Sequence, residues 1–170
     1  MDPAQTEEFT EFMRGRWSIL VRFGYGLTGD VGEAEDLAQT ALARACVAWP
    51  RVRRADDPDA YVRRIMVNSN RSRFRRRRVA ERLTESPPDV AAVGEARPGE
   101  ERPELVSALM GLPAGQRAVL VLRYWMDLSE DETAATLGCS AGNVKSQAAR
   151  GLAKLRLDPD LVEGGRHGER

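Results

Sequence analysis

The sequence has few of the residues that carry most enzyme and metal chemistry. It contains one histidine, His167, and two cysteines, Cys46 and Cys139, which lie far apart and form no C-x-x-C pair. This spacing supports neither a zinc site nor a disulfide framework, and both cysteines are interpreted as small apolar core residues. A Gly-rich phosphate loop and paired carboxylates are also missing from the sequence. We therefore expect no metal, no cofactor and no enzymatic activity.

Long apolar runs are missing as well. No stretch approaches the roughly 20 apolar residues of a membrane span. The segment Met1 to Thr10 carries acids where a secretory signal would carry basic residues and an apolar run. We expect a cytoplasmic protein without membrane insertion.

Lysine is scarce: the sequence has only Lys145 and Lys154. Almost all of its basic residues are therefore arginines. Lys+Arg and Asp+Glu both number 26, which leaves a net charge of zero and makes the distribution of charge the informative property. Arginine suits phosphates and base edges, although a GC-rich coding sequence would produce the same bias. Composition alone leaves both explanations open.

The arginines are concentrated in one stretch. Residues 51–78 hold eleven arginines against three aspartates, a net charge of +8. A solvated helix face is the alternative to a nucleic-acid surface. However, Arg71, Arg75 and Arg78 would repel one another along one helix face. An unliganded protein gains nothing from that repulsion, so this stretch favours binding to nucleic acid.

Composition divides the chain into blocks. We predict an all-α protein of two small helical domains, residues 1–83 and 104–158, joined by a flexible linker over residues 84–103 and followed by a flexible tail over residues 159–170. The linker is rich in proline, glycine and acidic residues and has too little apolar surface to fold. No alternating strand pattern is present.

The first block has the periodicity of three helices. Apolar residues recur at steps of three and four from Phe9 to Val21, and Gly29 is suited to end that helix. A second helix is predicted from Glu33 to Trp49 and a third from about Asp59 to Leu83, with Asp56 and Asp57 as N-cap candidates. The residues expected to be buried on the second helix are Leu37, Ala41, Leu42, Ala45 and Val47.

The second block has the pattern of a helix-turn-helix, a motif that places its second helix in the DNA major groove. After a helix over Gln116 to Trp125, Ser129 and Glu132 form a capping box, with Ala134 and Leu137 on the buried face that follows. Gly138 then provides the turn. The last helix is predicted from about Ala141 to Leu155, with Val144, Ala148, Leu152 and Leu155 on its inner face.

The outer face of that last helix carries donors for phosphates and base edges. An alternative is a three-helix bundle with a solvated polar face, but the turn, cap, core and polar face together favour duplex DNA. The residues predicted to contact DNA here are Ser140, Asn143, Lys145, Ser146, Gln147 and Arg150.

The loop that leads into the arginine-rich helix, Trp49 to Pro58, lies beside its basic surface. Such a loop can hold an unstacked base, as single-strand binders do with aromatic and cationic groups. We interpret Trp49 as a core or hinge residue in preference to a stacking platform.

Several of these segments, in this order, resemble extracytoplasmic-function sigma factors of the sigma-70 superfamily. The segments Leu27–Asp30, Glu33–Thr40 and Asp57–Arg64 resemble the first conserved domain of that family. Leu112–Arg117 and Leu128–Arg156 resemble the second domain. The resemblance is to a short actinobacterial branch without an additional C-terminal domain. It spans nearly the whole chain apart from the linker and the tail.

The resemblance implies a promoter-specificity subunit that binds core RNA polymerase through the β′ clamp and the β subunit. It also implies recognition and melting of the −10 element, capture of the melted non-template strand, and reading of the −35 element as duplex. An anti-sigma factor is a possible further partner. The resemblance assigns polymerase binding to Asp36, Leu37 and Gln39, −35 contacts to the donors of the last helix, and −10 contacts to Arg51, Arg53, Arg54, Arg63, Arg64, Asn68, Arg71 and Arg75.

The chain departs from the family pattern at two informative positions. Thr133 stands where the family usually has an aliphatic residue, so we expect looser packing of that helix. Gln147 stands where arginine is common, which affects the expected −35 base preference. Two other functions stay open from the residues alone: a helix-turn-helix regulator that never engages polymerase, and a pure protein-interaction module.

Overall fold

The computed structural model describes residues 1–84 and 103–156, and the chain divides into two compact units, Met1–Ala91 and Ala92–Arg170. Over the described ranges the fold is helical without a strand, which confirms the predicted class. The tail and nearly all of the predicted linker lie outside the described residues. The helices are α1 Pro3–Thr28, α2 Val31–Val47, α3 Trp49–Val52, α4 Pro58–Thr84, α5 Pro103–Met110, α6 Ala114–Leu120, α7 Glu130–Leu137 and α8 Ala141–Arg156, with a π-helical turn at Val121–Trp125 between α6 and α7.

Local capping explains where the helices of the first unit begin and end. Gly29 ends α1 in the left-handed conformation, with φ of 70°, and its N–H donates to the carbonyl of Tyr25. The Asp30 side chain then accepts a 2.8 Å hydrogen bond from the Glu33 N–H and starts α2. Asp57 accepts a 3.0 Å bond from the Ala60 N–H and starts α4. These predicted boundaries are confirmed within about two residues.

α1 and α2 cross closely at Gly24. A Cβ atom at this position would lie 3.0 Å from both the Cα and the carbonyl oxygen of Ala34, which is backbone that cannot move aside. The approach allows α1, α2 and α4 to enclose one apolar core. Its most fully buried side chains are Phe23, Leu27, Leu37, Val52, Val62 and Met66.

The end of α2 differs from the prediction. The helix ends at Val47, and Pro50 lies in the first turn of the separate short helix α3. Val47 was predicted to be buried but is 88% exposed. At about 100° per residue, it lies on the opposite side of α2 from the buried stripe that includes Ala34 and Ala45. Trp49 is 2% exposed and packs edge-on against Phe9, which confirms its interpretation as a core residue.

In the second unit, a buried arginine closes the end of α5, a helix that was not predicted. The Arg117 guanidinium donates to the carbonyls of Leu109, Met110 and Leu112 at 2.8, 3.0 and 2.9 Å. Burial lowers the pKa of Arg117. These bonds satisfy carbonyls that the last turn of a helix leaves without an intrahelical donor. They tie α5 and the following turn to α6.

The helix-turn-helix has the predicted caps and turn. Ser129 and Glu132 form the reciprocal capping box of α7, and Gly138 has φ of 68°. The buried face differs from the prediction, because Thr133 and Thr136 are buried beside Ala134 whereas Leu137 is only partly buried. α8 approaches α6 closely at Gly151, whose added Cβ would lie 2.8 Å from the Leu120 side chain.

Further expectations concern cysteines, metals and membranes. Cys46 and Cys139 are both free and partly exposed, so neither is a fully buried core residue. Within residues 1–84 and 103–156, no three His, Cys, Asp or Glu side chains are grouped so as to hold a metal ion. The helices of these ranges are all too short or too polar to span a bilayer.

Thr133 supplies a test of the packing of α7. It is fully buried, and its hydroxyl has no hydrogen-bond partner within the described part of the chain. Leaving a buried hydroxyl unpaired costs about 1–3 kcal/mol. We therefore expect Thr133→Val, which keeps the shape, to raise the free energy of unfolding by roughly 1 kcal/mol in urea titrations.

Thr136→Val is the matched control for this substitution. Thr136 is equally buried, but its hydroxyl donates a 2.9 Å bond to the carbonyl of Glu132. Its replacement should leave stability unchanged or lower it. A Thr133→Val variant no more stable than Thr136→Val would contradict the cost assigned to the unpaired hydroxyl.

Candidate nucleic-acid interface

The arginine-rich helix α4 is held to the first unit along a narrow apolar stripe. The stripe consists of Val62, Met66 and Val67, which are at most 3% exposed. These side chains pack toward α1 and α2. Beyond this stripe, every residue from Phe74 to Leu83 is exposed. The C-terminal half of α4 therefore presents its arginines to solvent.

Some arginines of α4 are used inside the protein. Arg63 is 9% exposed, and its Nη2 lies 3.4 Å from a carboxylate oxygen of Asp57. Arg73 donates to the backbone carbonyl of Glu33, and Arg77 pairs with the Glu33 carboxylate. Arg63 was predicted to contact the −10 strand. Its burial corrects this prediction, because a side chain buried beside its own N-cap residue supports the start of the helix instead.

Four of the predicted −10 residues of α4 share one open face. Arg64, Asn68, Arg71 and Arg75 follow one another at steps of four, three and four, which places them along one side of a helix. Arg64, Asn68 and Arg75 are exposed and Arg71 is partly exposed. The face lies opposite the apolar stripe, so that packing and charge are segregated on the same helix.

The lead-in loop places further cations at the start of this face. Arg51 and Arg54 are exposed, whereas Arg53 pairs with Glu8 at 2.9 Å. Beside the loop, Arg16 binds Asp59 at 2.8 Å. The hydrogen bond and the charge of Asp59 raise the pKa of Arg16.

A polar groove of about 620 Å³ runs between α2 and α4. Asp36 and Gln39, predicted to bind polymerase, are exposed on its α2 side, and Asn68 and Arg75 lie on its α4 side. Leu37 was predicted as an apolar contact to polymerase. It is only 1% exposed, so its side chain belongs to the core of this unit and the prediction is corrected.

In the second unit, the predicted −35 residues separate into two groups. Asn143, Ser146, Gln147 and Arg150 lie on the outer face of α8, at steps of three, one and three. Lys145 lies on a different side of α8, with its Nζ 3.6 Å from a carboxylate oxygen of Glu130. The structure therefore does not bring Lys145 onto the face that holds the other four.

Ser140 has a structural contact at the start of the same helix. Its Oγ accepts a 3.1 Å hydrogen bond from the Asn143 N–H, as an N-cap residue does. One exposed cation was missed by the sequence analysis: Lys154 follows Arg150 by one helical turn. The same helical spacing that identified Arg150 would have identified it.

An apolar groove of the second unit was also missed. It lies where α5, α6, the π-helical turn and the end of α8 meet. It could not be predicted without α5, whose short apolar sequence was not interpreted as a helix. Its lining residues are Leu105, Leu109, Leu120, Val121, Tyr124, Trp125, Leu152 and Leu155.

Comparison with known families matches both units. Residues 10–79 match the family described as Sigma-70 region 2, and residues 102–155 match Sigma-70, region 4. Among solved structures, the fold is similar to the sigma factor RpoE in complex with the anti-sigma factor NepR from Bartonella quintana. The TM-score is 0.78 at 24% identity, over 92% of this chain and 98% of that one.

Curated relatives extend the match over most of the chain. It is 41% identical over 156 residues to an RNA polymerase sigma-E factor of Streptomyces antibioticus, which covers 92% of this chain and 87% of that protein. It is 31% identical to the ECF RNA polymerase sigma factor EcfG of Rhodopseudomonas palustris, over 78% of this chain and 75% of the relative. With both conserved regions present in order, the chain belongs to the extracytoplasmic-function group of the sigma-70 family of RNA polymerase sigma factors.

Proposed function

We propose that this protein binds core RNA polymerase and directs it to promoters, with its first unit acting at the −10 element and its second at the −35 element. The observation that carries the proposal is the presence of two units that match sigma regions 2 and 4. A regulator that never engages polymerase would need only the second unit. The first unit, with its basic helix, would have no use.

The open face of α4 is the proposed surface for the melted non-template strand. Its cations lie along one line, and the lead-in loop at its start contributes Arg51 and Arg54. Arginine planes and charges bind single strands by stacking on bases and neutralising phosphates. Arg63 has a supporting role only, through its contact with Asp57.

Asp36 and Gln39 are the proposed contacts to the β′ clamp. Both are exposed on α2 and line the same groove as Asn68 and Arg75 of α4. Polymerase docking and strand binding would therefore take place side by side on one unit. This arrangement would place the captured DNA strand next to the polymerase.

An anti-sigma factor is a further proposed partner. The RpoE structure is a complex with the anti-sigma factor NepR, and the similar CnrH structure (TM-score 0.61) is a complex with the cytosolic domain of CnrY. In this chain, the apolar groove of the second unit is a surface that a helix with an apolar face would fit.

The overall function is tested by run-off transcription with purified core RNA polymerase, with and without this protein, on promoter fragments from the cognate genome. We expect transcripts with defined start sites only when the protein is present. Absence of such transcripts, together with absence of polymerase binding in a pull-down, would favour the stand-alone regulator.

The strand-binding face is tested by replacing Arg64 and Arg71 with alanine. Each single-strand phosphate contact contributes roughly 0.7 to the slope of log affinity against log salt, so the double variant should lower that slope by about 1.4. The measurement is fluorescence anisotropy of the holoenzyme with a single-stranded −10 oligonucleotide. Arg14→Ala, an exposed arginine of α1, is the control. An unchanged slope in the double variant would show that these two side chains do not contact the phosphates of the strand.

Polymerase docking is tested by replacing Asp36 and Gln39 together with alanine. Since both side chains are exposed, we expect the affinity for core polymerase to fall about 10-fold or more, as for loss of hot-spot contacts, without a change in thermal unfolding. Glu11→Ala on the exposed side of α1 is the control. Leu37→Ala should instead lower stability by roughly 2–5 kcal/mol, because it opens a cavity in the core. Full affinity in the Asp36 and Gln39 variant would exclude this docking surface.

A further inference from the structure

The described part of the second unit is nearly neutral overall, and its exposed basic residues are concentrated on α8. Its described residues carry six basic and five acidic side chains. Arg117 is buried under carbonyl groups, and Arg123 donates to the carbonyl of Leu128. Three acids, Glu130 to Glu132, occupy the first turn of α7. α8 itself carries four basic residues and no acid, so attraction to phosphates comes from this helix, and base contacts must supply the sequence preference.

The outer face of α8 carries the groups for such contacts. Asn143 and Gln147 are one helical turn apart, and Arg150 follows three residues later on the same side. Asn143 is exposed and Gln147 partly exposed. Lys145, the nearest alternative cation, lies on another side of the helix beside Glu130. The face therefore presents two carboxamides and one guanidinium, together with the small hydroxyl of Ser146.

Each of these groups matches one kind of base edge. A carboxamide donates to N7 and accepts from N6 of adenine in the major groove, and a guanidinium donates to O6 and N7 of guanine. Asn143 and Gln147 are about 6 Å apart along the helix axis, at 1.5 Å per residue. Since base pairs are spaced about 3.4 Å apart, the distance between the two residues corresponds to roughly two base-pair steps. A helix in the groove can thus set the two amides against two neighbouring or next-neighbouring base pairs.

We propose that Asn143 and Gln147 read two adenines of the −35 element and that Arg150 reads a guanine beside them. The proposal rests on the proposed function, since it specifies the bases that the second unit recognises. Ser140 caps the helix and holds the Asn143 backbone in place for this contact.

The test uses the full-length protein assembled with core RNA polymerase on a promoter library in which only the −35 element is randomised. Sequencing of the run-off transcripts gives the base preference at each position. We expect adenine to be preferred at two positions and guanine at a third. Loss of one bidentate contact should reduce discrimination at its own position by about 5- to 150-fold.

Three variants assign the positions. Asn143→Ala should remove the adenine preference at one position, and Arg150→Ala should remove the guanine preference at another. Gln147→Arg should change the preference at the remaining position from adenine to guanine. Replacing that adenine by 7-deazaadenine, which lacks the N7 acceptor, should lower transcription by the wild-type protein. Transcription by the Gln147→Ala variant should not change. All of these side chains lie on the outer face of α8, and circular dichroism of each variant checks that it remains folded.

The outcomes separate this proposal from the proposed function. In one outcome, the library is transcribed but the wild type, Asn143→Ala and Gln147→Arg show the same base preferences. This result would overturn adenine reading by the amides and leave the sigma-factor function intact. A wild-type preference for a base other than adenine at the positions that these variants change would overturn it as well. Absence of all transcripts that depend on the protein would overturn the proposed function itself.

Discussion

The packing of Val62, Met66 and Val67 against α1 and α2 is the interaction on which the nucleic-acid face of the first unit depends. A helix with this many arginines repels itself and has little apolar surface to bury. Its position must therefore be fixed by a narrow stripe, supported by Arg73 and Arg77 at Glu33. Because the stripe is narrow, most of the opposite side of the helix is left to polar and charged side chains. The same constraint that makes α4 difficult to pack makes its outer face available to a phosphate backbone.

This constraint also divides the arginines of α4 by role. A guanidinium near the stripe is drawn into the protein, where an unpaired charge would be costly, and it therefore finds a carboxylate or a carbonyl. Arg63 at Asp57 and Arg73 at the Glu33 carbonyl are examples. On the far side, Arg64 and Arg75 are exposed and Arg71 is partly exposed. Position around the helix, more than position along the sequence, thus determines which arginines can reach a strand.

The sequence predicted the longer helices and their caps because those features are local. Gly29, Asp30, Ser129 and Gly138 act within a few residues, so their roles can be inferred from spacing. It failed where several helices contribute. The burial of Leu37 and Arg63 depends on how α2 and α4 pack. Both were assigned to contacts through the family resemblance, which identifies a motif but not the direction of each side chain.

In the proposed function, the two units use different physical means for their two kinds of DNA. A melted strand is flexible and has few fixed hydrogen-bonding patterns, so a line of arginines that follows phosphates and stacks on bases suits it. A duplex offers a fixed pattern of donors and acceptors in its major groove. In the second unit, the outer face of α8 carries amide and guanidinium groups that are suited to reading that pattern.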